Sequence, residues 1–248
     1  MNAMASVSFD QIAARYDATR GGEARGRDIA DILRPWLPSD RPLVEIGVGT
    51  GVVASAVAAD GAPVVGLDLS AAMLDVAAER LAGALVQADA AAVPLRSASA
   101  AAVTAVWVLH LVGDPTGVLA ECHRILRPGG RLLAIVADES RRVAEPAILE
   151  LERRYRHRGD DLAVLEPLAA AAGFGVAHLE PIPAFARPLT PTELADQLEQ
   201  RTWSWMWAIP PDAWAADVAP VIEALRRDPE PTRTKSHLVA HQLVVWER

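Results

Sequence analysis

Cysteine is nearly absent from this chain. Cys122 is the single one in 248 residues, so no internal disulfide can form, which fits a reducing compartment. Positive charge is also short: 24 Lys and Arg stand against 32 Asp and Glu, a net charge of −8. A protein built to hold a polyanionic backbone usually shows a basic footprint, so nucleic acid is not the expected partner. No uninterrupted apolar run reaches 18 residues, so no membrane-spanning helix is expected. The first residues lack a basic start followed by a long apolar run, so no signal peptide is expected, and the localisation read here is cytoplasmic. The histidines at 110, 123, 157, 178, 237 and 241 are scattered, and none pairs at helical spacing with an acid on the same face. That predicts no metal site. Half of the chain is nevertheless apolar, enough for a normal core.

The remaining pattern alternates strands with helices. Apolar residues at 9, 12, 13 and 16 have helical spacing. A second helix is predicted over 23–36, with Ile29, Ile32, Leu33 and Trp36 on one side and Pro35 and Pro38 at its end. Strands are predicted at 43–47, 63–67, 84–88, 100–108 and 131–137, with helices at 51–59, 71–81 and 116–126 between them. Such alternation implies a doubly wound, Rossmann-like parallel sheet. Farther on, 144–172 reads as helix interrupted near Gly159, and 174–182 as a sixth strand. Helices are predicted over 191–207 and 214–227, with a final strand over 236–246. The expected organisation is one domain: a helical lid over 1–40, a core over 41–183, a helical cap over 184–233 and a last strand over 234–248.

The stretch Leu43-Val-Glu-Ile-Gly-Val-Gly-Thr-Gly51 is a strand running into a glycine-rich turn that opens a helix. That is a ligand cradle in an open α/β sheet. A P-loop is excluded, because no Gly-Lys-Ser/Thr follows. A nicotinamide or flavin dinucleotide wants G-x-G-x-x-G, whereas glycines stand here at 47, 49 and 51 and position 52 is Val. Glu45 precedes the turn and would repel a phosphate but not an amine or sulfonium. Asp68, ending the second strand, is placed for a ribose diol, and Asp89, ending the third, for an exocyclic amine such as adenine N6. Three acids at strand ends suit a cationic nucleoside without phosphate, and S-adenosylmethionine is such a molecule. Each acid also has a plainer reading: Asp68 and Asp89 as helix caps or loop acids, Glu45 as the partner of a lid arginine.

Four ordered motifs carry a resemblance. Val44-Glu-Ile-Gly-Val-Gly-Thr-Gly51, Gly66-Leu-Asp-Leu-Ser70, Gln87-Ala-Asp-Ala90 and Leu126-Arg-Pro-Gly-Gly130 resemble those of class I S-adenosylmethionine-dependent methyltransferases. Phe9-Asp-x-x-Ala-x-x-Tyr-Asp17 and Val108-Leu-His-Leu-Val112 are similar to the small-molecule branch (type 11) that includes ubiquinone and menaquinone C-methyltransferases. The likeness covers 9–137 and weakens afterwards. It implies a seven-stranded sheet with an antiparallel last strand, and S-adenosylmethionine as cofactor. By that resemblance Gly47, Val48 and Gly49 line the cofactor's methionine portion, and Glu45 reaches its ammonium. Asp68 holds the ribose, Leu69 and Met73 pack on the adenine, and Asp89 with Ala90 meets its edge. Trp107 adds to the pocket, Tyr16 comes from the lid, and Arg20 partners the carboxylate. Tyr16 also fits a residue that staples the lid to the core.

His110, at the end of the fourth strand, is the candidate general base or substrate donor, with a packed core histidine as the alternative. The family's second histidine is Leu111 here, which speaks against a mechanism needing two imidazoles. Trp203, Trp205 and Trp207 are read as anchors of the cap or as an aromatic wall for an apolar or cationic substrate, with Trp203 and Trp207 sharing a helix face. The expected function is methyl transfer to the oxygen, nitrogen or carbon of a small molecule, by a monomer or homodimer. The alternatives are a protein that binds S-adenosylmethionine or S-adenosylhomocysteine without transfer and, further off, an NAD-dependent oxidoreductase.

Overall fold

A computed structural model describes residues 3–38, 42–59, 61–186 and 188–248. The chain forms two compact units, Met1–Ala137 with Gly159–Ile182 and Gln242–Arg248, and Asp138–Arg158 with Pro183–His241.

The first unit opens with α1 (Ala3–Arg20) and α2 (Gly22–Leu33). The break between them is a single residue, Gly21, whose φ of 90° ends one helix and starts the next. The predicted stripe of α2 is buried at Ile29 and Leu33. The helix stops three residues short of the predicted end, in a 3₁₀ turn over Arg34–Trp36, because Pro35 supplies no N–H for a further α-helical bond.

Then come β1 (Leu43–Ile46), α3 (Val52–Ala58), β2 (Val64–Asp68), α4 (Ala71–Ala78), β3 (Ala84–Gln87), β4 (Ala100–Val106), α5 (Pro115–Ile125) and β5 (Leu126–Ala137). Ser70 caps α4, its hydroxyl accepting from the Met73 N–H at 3.1 Å. The Leu126-Arg-Pro-Gly-Gly130 motif lies inside β5 as an irregularity. Leu126 pairs with Ala100 and Arg131 with Ala102, so the residues between them bulge out of register.

The sheet is completed later in the chain. With α6 (Pro146–Tyr155) in the second unit, α7 (Leu162–Ala171) returns to the first and leads into β6 (Gly175–Pro181). The second unit holds β7 (Phe185–Ala186), α8 (Pro191–Glu199), α9 (Pro211–Ala213) and α10 (Ala219–Arg226), the last two joined by a π-helical turn over Trp214–Val218. The expected last strand divides: β8 (Leu238–Val239) pairs with β7, and β9 (His241–Glu247) enters the main sheet antiparallel to β6. The order is β3-β2-β1-β4-β5-β9-β6, parallel through β5, so the seven-stranded Rossmann-like sheet is as anticipated.

β4 is buried along its whole length and β1 likewise, as central parallel strands covered on both faces must be. The core of this unit collects Ile46, Val103, Leu119, Ile125, Leu132, Leu165 and Trp246. The second unit has its own core, where Ile148, Leu151, Leu194, Leu198, Met206, Ile209 and Val218 meet.

The helix expected over 191–207 ends at Glu199. The Arg201 N–H bonds the Leu198 carbonyl and the Thr202 N–H the Gln197 carbonyl, with Arg201 at φ 48°. This is the left-handed helix stop that glycine usually provides, made here by an arginine. Trp203 and Trp207 therefore do not share a helix face. Trp203 and Trp205 stack, 6.1 Å between centroids, and the Trp207 indole N–H donates to the Arg201 carbonyl at 2.8 Å.

Candidate functional site

In open α/β sheets, ligands sit beyond the carboxyl ends of the strands, where the strand order reverses. Here that point is the gap between β1 and β4. Three glycines leave β1 in left-handed conformation, Gly47 at φ 66°, Gly49 at 54° and Gly51 at 77°. Two of them need glycine for different reasons. A Cβ on Gly47 would sit 2.4 Å from Val108 Cγ2, so the turn packs against the residue after β4. A Cβ on Gly49 would meet nothing within 4 Å, so its side is open to a ligand.

The turn is tied to the next strand end. Asp68 accepts from the Gly49 N–H at 2.9 Å and from the Ser70 N–H at 2.9 Å. Burial pushes the Asp68 carboxyl up, and those N–H groups oppose the shift. Glu45 is 2% exposed, and its Oε2 has no hydrogen-bond partner. Burial, and next the nearby Asp68 charge, raise its pKa to about 8. Burial therefore favours the neutral form of Glu45, and a cation placed beside it would restore the carboxylate.

A cavity opens over this turn, walled by first-unit residues alone. Of the residues expected from sequence it gathers Tyr16, Arg20, Glu45, Gly47, Val48, Gly49 and Trp107. Asp17, Arg25 and Thr50 join them without having been singled out. Trp107 takes φ 51°, uncommon for a large residue and a mark of local strain. The Arg25 guanidinium lies 3.6 Å from the centroid of its ring. Arg25 Nη1 also donates to the Arg20 carbonyl at 3.3 Å.

Asp68, Leu69, Met73, Asp89, Ala90 and His110 lie outside the cavity wall, near the ends of β2, β3 and β4. Leu69 is half-buried and its carbonyl accepts from Gln87 Nε2, whereas Met73 is 2% exposed and closed into the core. Asp89 turns back to accept from the Ala91 N–H at 2.9 Å. His110 stands in the turn after β4 with Asp160 Oδ2 3.8 Å from its Nδ1. Trp203, Trp205 and Trp207 belong to the second unit, the first two packed against its core. Among the described residues no group of His, Cys, Asp and Glu could hold a metal ion, and no helix is long and apolar enough to cross a membrane.

A doubly wound sheet with a left-handed glycine turn after β1, and acids in β1 and at the end of β2, defines a nucleoside-binding α/β protein. Residues 44–134 match the family described as a methyltransferase domain. A ubiquinone/menaquinone biosynthesis C-methyltransferase (UbiE) of Syntrophotalea carbinolica is 34% identical over 162 residues, which cover 60% of this chain and 67% of that protein. A demethylmenaquinone methyltransferase of Clavibacter sepedonicus is 35% identical over 52% of this chain and 56% of its own length. The chain thus spans little more than half of several curated relatives that it matches.

Two solved structures share the fold. The cyclase SpnF superposes with a TM-score of 0.64 at 18% identity, covering 98% of this chain and 94% of that one. A Haemonchus contortus phosphoethanolamine N-methyltransferase 2 in complex with S-adenosyl-L-methionine gives a TM-score of 0.57 at 20% identity, covering 96% and 57%. The chain belongs to the class I S-adenosylmethionine-dependent methyltransferases.

Proposed function

We propose that this protein transfers a methyl group from S-adenosylmethionine to a small molecule. One observation carries the reading: a buried carboxyl with an unpartnered oxygen, Glu45, lines a cavity under an open glycine turn that Asp68 braces. Such a cradle favours a cationic group over a phosphate.

The residues present fit that cofactor. Gly47, Val48 and Gly49 would line its methionine part and Glu45 would meet its ammonium. Arg20, with Tyr16, would take its carboxylate and Asp68 its ribose. Leu69 would offer the adenine a face, with Met73 as buried support, and Asp89 with Ala90 would meet the edge. When bound, S-adenosylmethionine supplies a methyl group on a sulfonium that is already a good leaving group. The protein then mainly has to orient the acceptor and exclude water, a contribution on the order of 7–11 kcal/mol in well-aligned systems. His110 would take a proton from an acceptor that must lose one.

The acceptor is read as a small molecule. The matched family segment ends at residue 134, ahead of the whole second unit, so the quinone-related names of the relatives do not carry over to the acceptor. Trp203, Trp205 and Trp207 remain candidates for an aromatic contact with it. A net charge of −8 supports a partner other than nucleic acid, and the lone Cys122, buried and without a disulfide, supports a cytoplasmic setting. A monomer or homodimer working without a metal completes the proposal.

Thermal-shift measurement with S-adenosylhomocysteine and NAD side by side tests it. Stabilisation by S-adenosylhomocysteine is expected, and a shift with NAD alone would sink the reading. Screening metabolite fractions with methyl-labelled cofactor then looks for transfer. Binding with no methylated product in any fraction would favour a sensor or scaffold instead.

A further inference from the structure

Asp89 and Ala90, the residues that would meet the adenine edge, stand on the connection from β3 to β4. Between Gln87 and Ala100 this connection has no helix or strand of its own. A loop holds a recognition group steady only if its backbone is fixed from outside. Two side chains from the C-terminal half of α5 do that. Glu121 Oε2 accepts from the Val93 N–H at 2.7 Å. Arg124 donates from Nη2 to the Val93 carbonyl and from Nη1 to the Leu95 carbonyl, each at 2.8 Å. Its own carbonyl accepts from the Ala98 N–H at 3.0 Å.

The clamp is itself held. Arg124 Nε and Nη2 meet the two Glu121 oxygens at 2.7 and 2.8 Å, a two-point pairing that aims the guanidinium. That pairing keeps the Glu121 carboxyl below the usual carboxylate range. α5 is anchored through Leu119, Cys122 and Ile125, all fully buried, and the Val93 side chain joins the same core. The stretch bearing Asp89 is therefore fixed at both ends. On one side the Ala88 N–H bonds the Asp68 carbonyl at 3.0 Å, and on the other stands the clamp at Val93. Between them Asp89 closes a turn, its carboxylate accepting from the Ala91 N–H and its carbonyl from the Ala92 N–H, both at 2.9 Å.

We propose that Glu121 and Arg124 are positioning residues for cofactor recognition, setting the loop so that Asp89 and Ala90 select the adenine edge. This deepens the S-adenosylmethionine reading and rests on it. The task calls for arginine. Its rigid fork reaches two carbonyls and a carboxylate at once, whereas a lysine would keep the charge and lose the geometry.

The test is calorimetric titration of the full chain with S-adenosylhomocysteine and with its purine analogue, which lacks the 6-amino group. Wild type is expected to prefer S-adenosylhomocysteine by about tenfold or more, as a hydrogen bond to a charged group allows, and Asp89→Ala to lose the preference. Arg124→Lys and Glu121→Ala should shrink it to about threefold or less, with the analogue's affinity near that of wild type. A merely structural role would weaken both ligands together and leave their ratio alone, so an unchanged ratio in both variants overturns the proposal. A preference that survives Asp89→Ala overturns it too, because the loop would then not carry the reader. Hydrogen exchange of ligand-free wild type needs no variant, so a folding failure cannot shield the proposal. The Val93 and Ala98 N–H groups are expected to exchange slowly before any ligand is added. Fast exchange at both that slows only with S-adenosylhomocysteine overturns it. Binding without an adenine preference in wild type sinks this proposal alone, whereas no binding at all sinks the methyl-transfer reading and this proposal with it.

Discussion

Arg80, two residues beyond the end of α4, and Asp17 on α1 meet at 2.7 Å. The same arginine donates to the Thr50 carbonyl at 2.8 Å, and the Thr50 hydroxyl donates to Asp17 at 2.6 Å. Three residues thus clasp the first helix to the cradle. The ion pair is about a quarter exposed on each side, so solvent screens part of it, while Thr50 is buried. Asp17→Ala is expected to cost about 1–2 kcal/mol in urea unfolding, mostly through the orphaned Thr50 and Arg80 donors. It should also weaken S-adenosylhomocysteine binding. A variant indistinguishable from wild type in both measurements would show that the clasp does nothing in solution.

Glu45 predicts a pH dependence. Its pKa rises from 4.5 to about 8 on folding. Between those values the folded chain holds a proton that the unfolded chain has released, so this group's stabilising contribution is full below 4.5 and is lost as pH rises through about 8. Glu45→Gln never ionises and escapes the loss. Its unfolding free energy relative to wild type should climb from about pH 5 to about pH 9, toward a gap on the order of a few kcal/mol. A gap that stays constant with pH would mean that Glu45 is not desolvated as the structure has it.

The same carboxyl should report the cofactor. An ammonium beside it favours the charged form, so binding near pH 7 is expected to release a proton. Calorimetry with S-adenosylhomocysteine in buffers of different ionisation heat reads that release directly. Proton uptake, or an unchanged release in Glu45→Gln, would remove Glu45 from the cofactor site.

Asp68 has two tasks that substitutions can separate. It braces the Gly49 and Ser70 N–H groups and is the proposed ribose ligand. The two N–H groups bind different carboxylate oxygens, so Asp68→Asn keeps one half of the brace and sets its NH2 against the other. The fold should survive at a cost of about 1 kcal/mol, with most of the cofactor affinity lost. Asp68→Ala should add about 1–3 kcal/mol of destabilisation from two orphaned donors. Full affinity in Asp68→Asn would mean that the ribose lies elsewhere.

The two open-φ glycines should also part company. Gly47→Ala meets Val108 at 2.4 Å and is expected to destabilise by about 3 kcal/mol or more, the strained conformation adding to the overlap. Gly49→Ala meets no neighbour and carries only the left-handed cost of about 1–2 kcal/mol, yet it should impair cofactor binding. Equal stability losses at the two positions would contradict the packing seen here.

Much of the fold could be read from the sequence because its signals are local. Apolar runs marked β1 and β4, and the glycine spacing matches the alternating positive φ at 47, 49 and 51. The misreadings came where a local rule had an unmarked exception. An arginine, rather than a glycine, adopts the left-handed stop at Arg201, so nothing flagged the end of α8, and the tryptophans took another arrangement.

The sequence by itself determined the cradle, the strand-end acids and through them the class of protein. These depend on residues close together in the chain, or on a period that any reader can count. Only the tertiary structure decided which partners the charges take: Arg80 with Asp17, Arg25 on Trp107. It also decided that the Glu45 carboxyl is pushed up, because desolvation depends on what the rest of the chain packs around a carboxyl, and no neighbouring residue in the sequence records that.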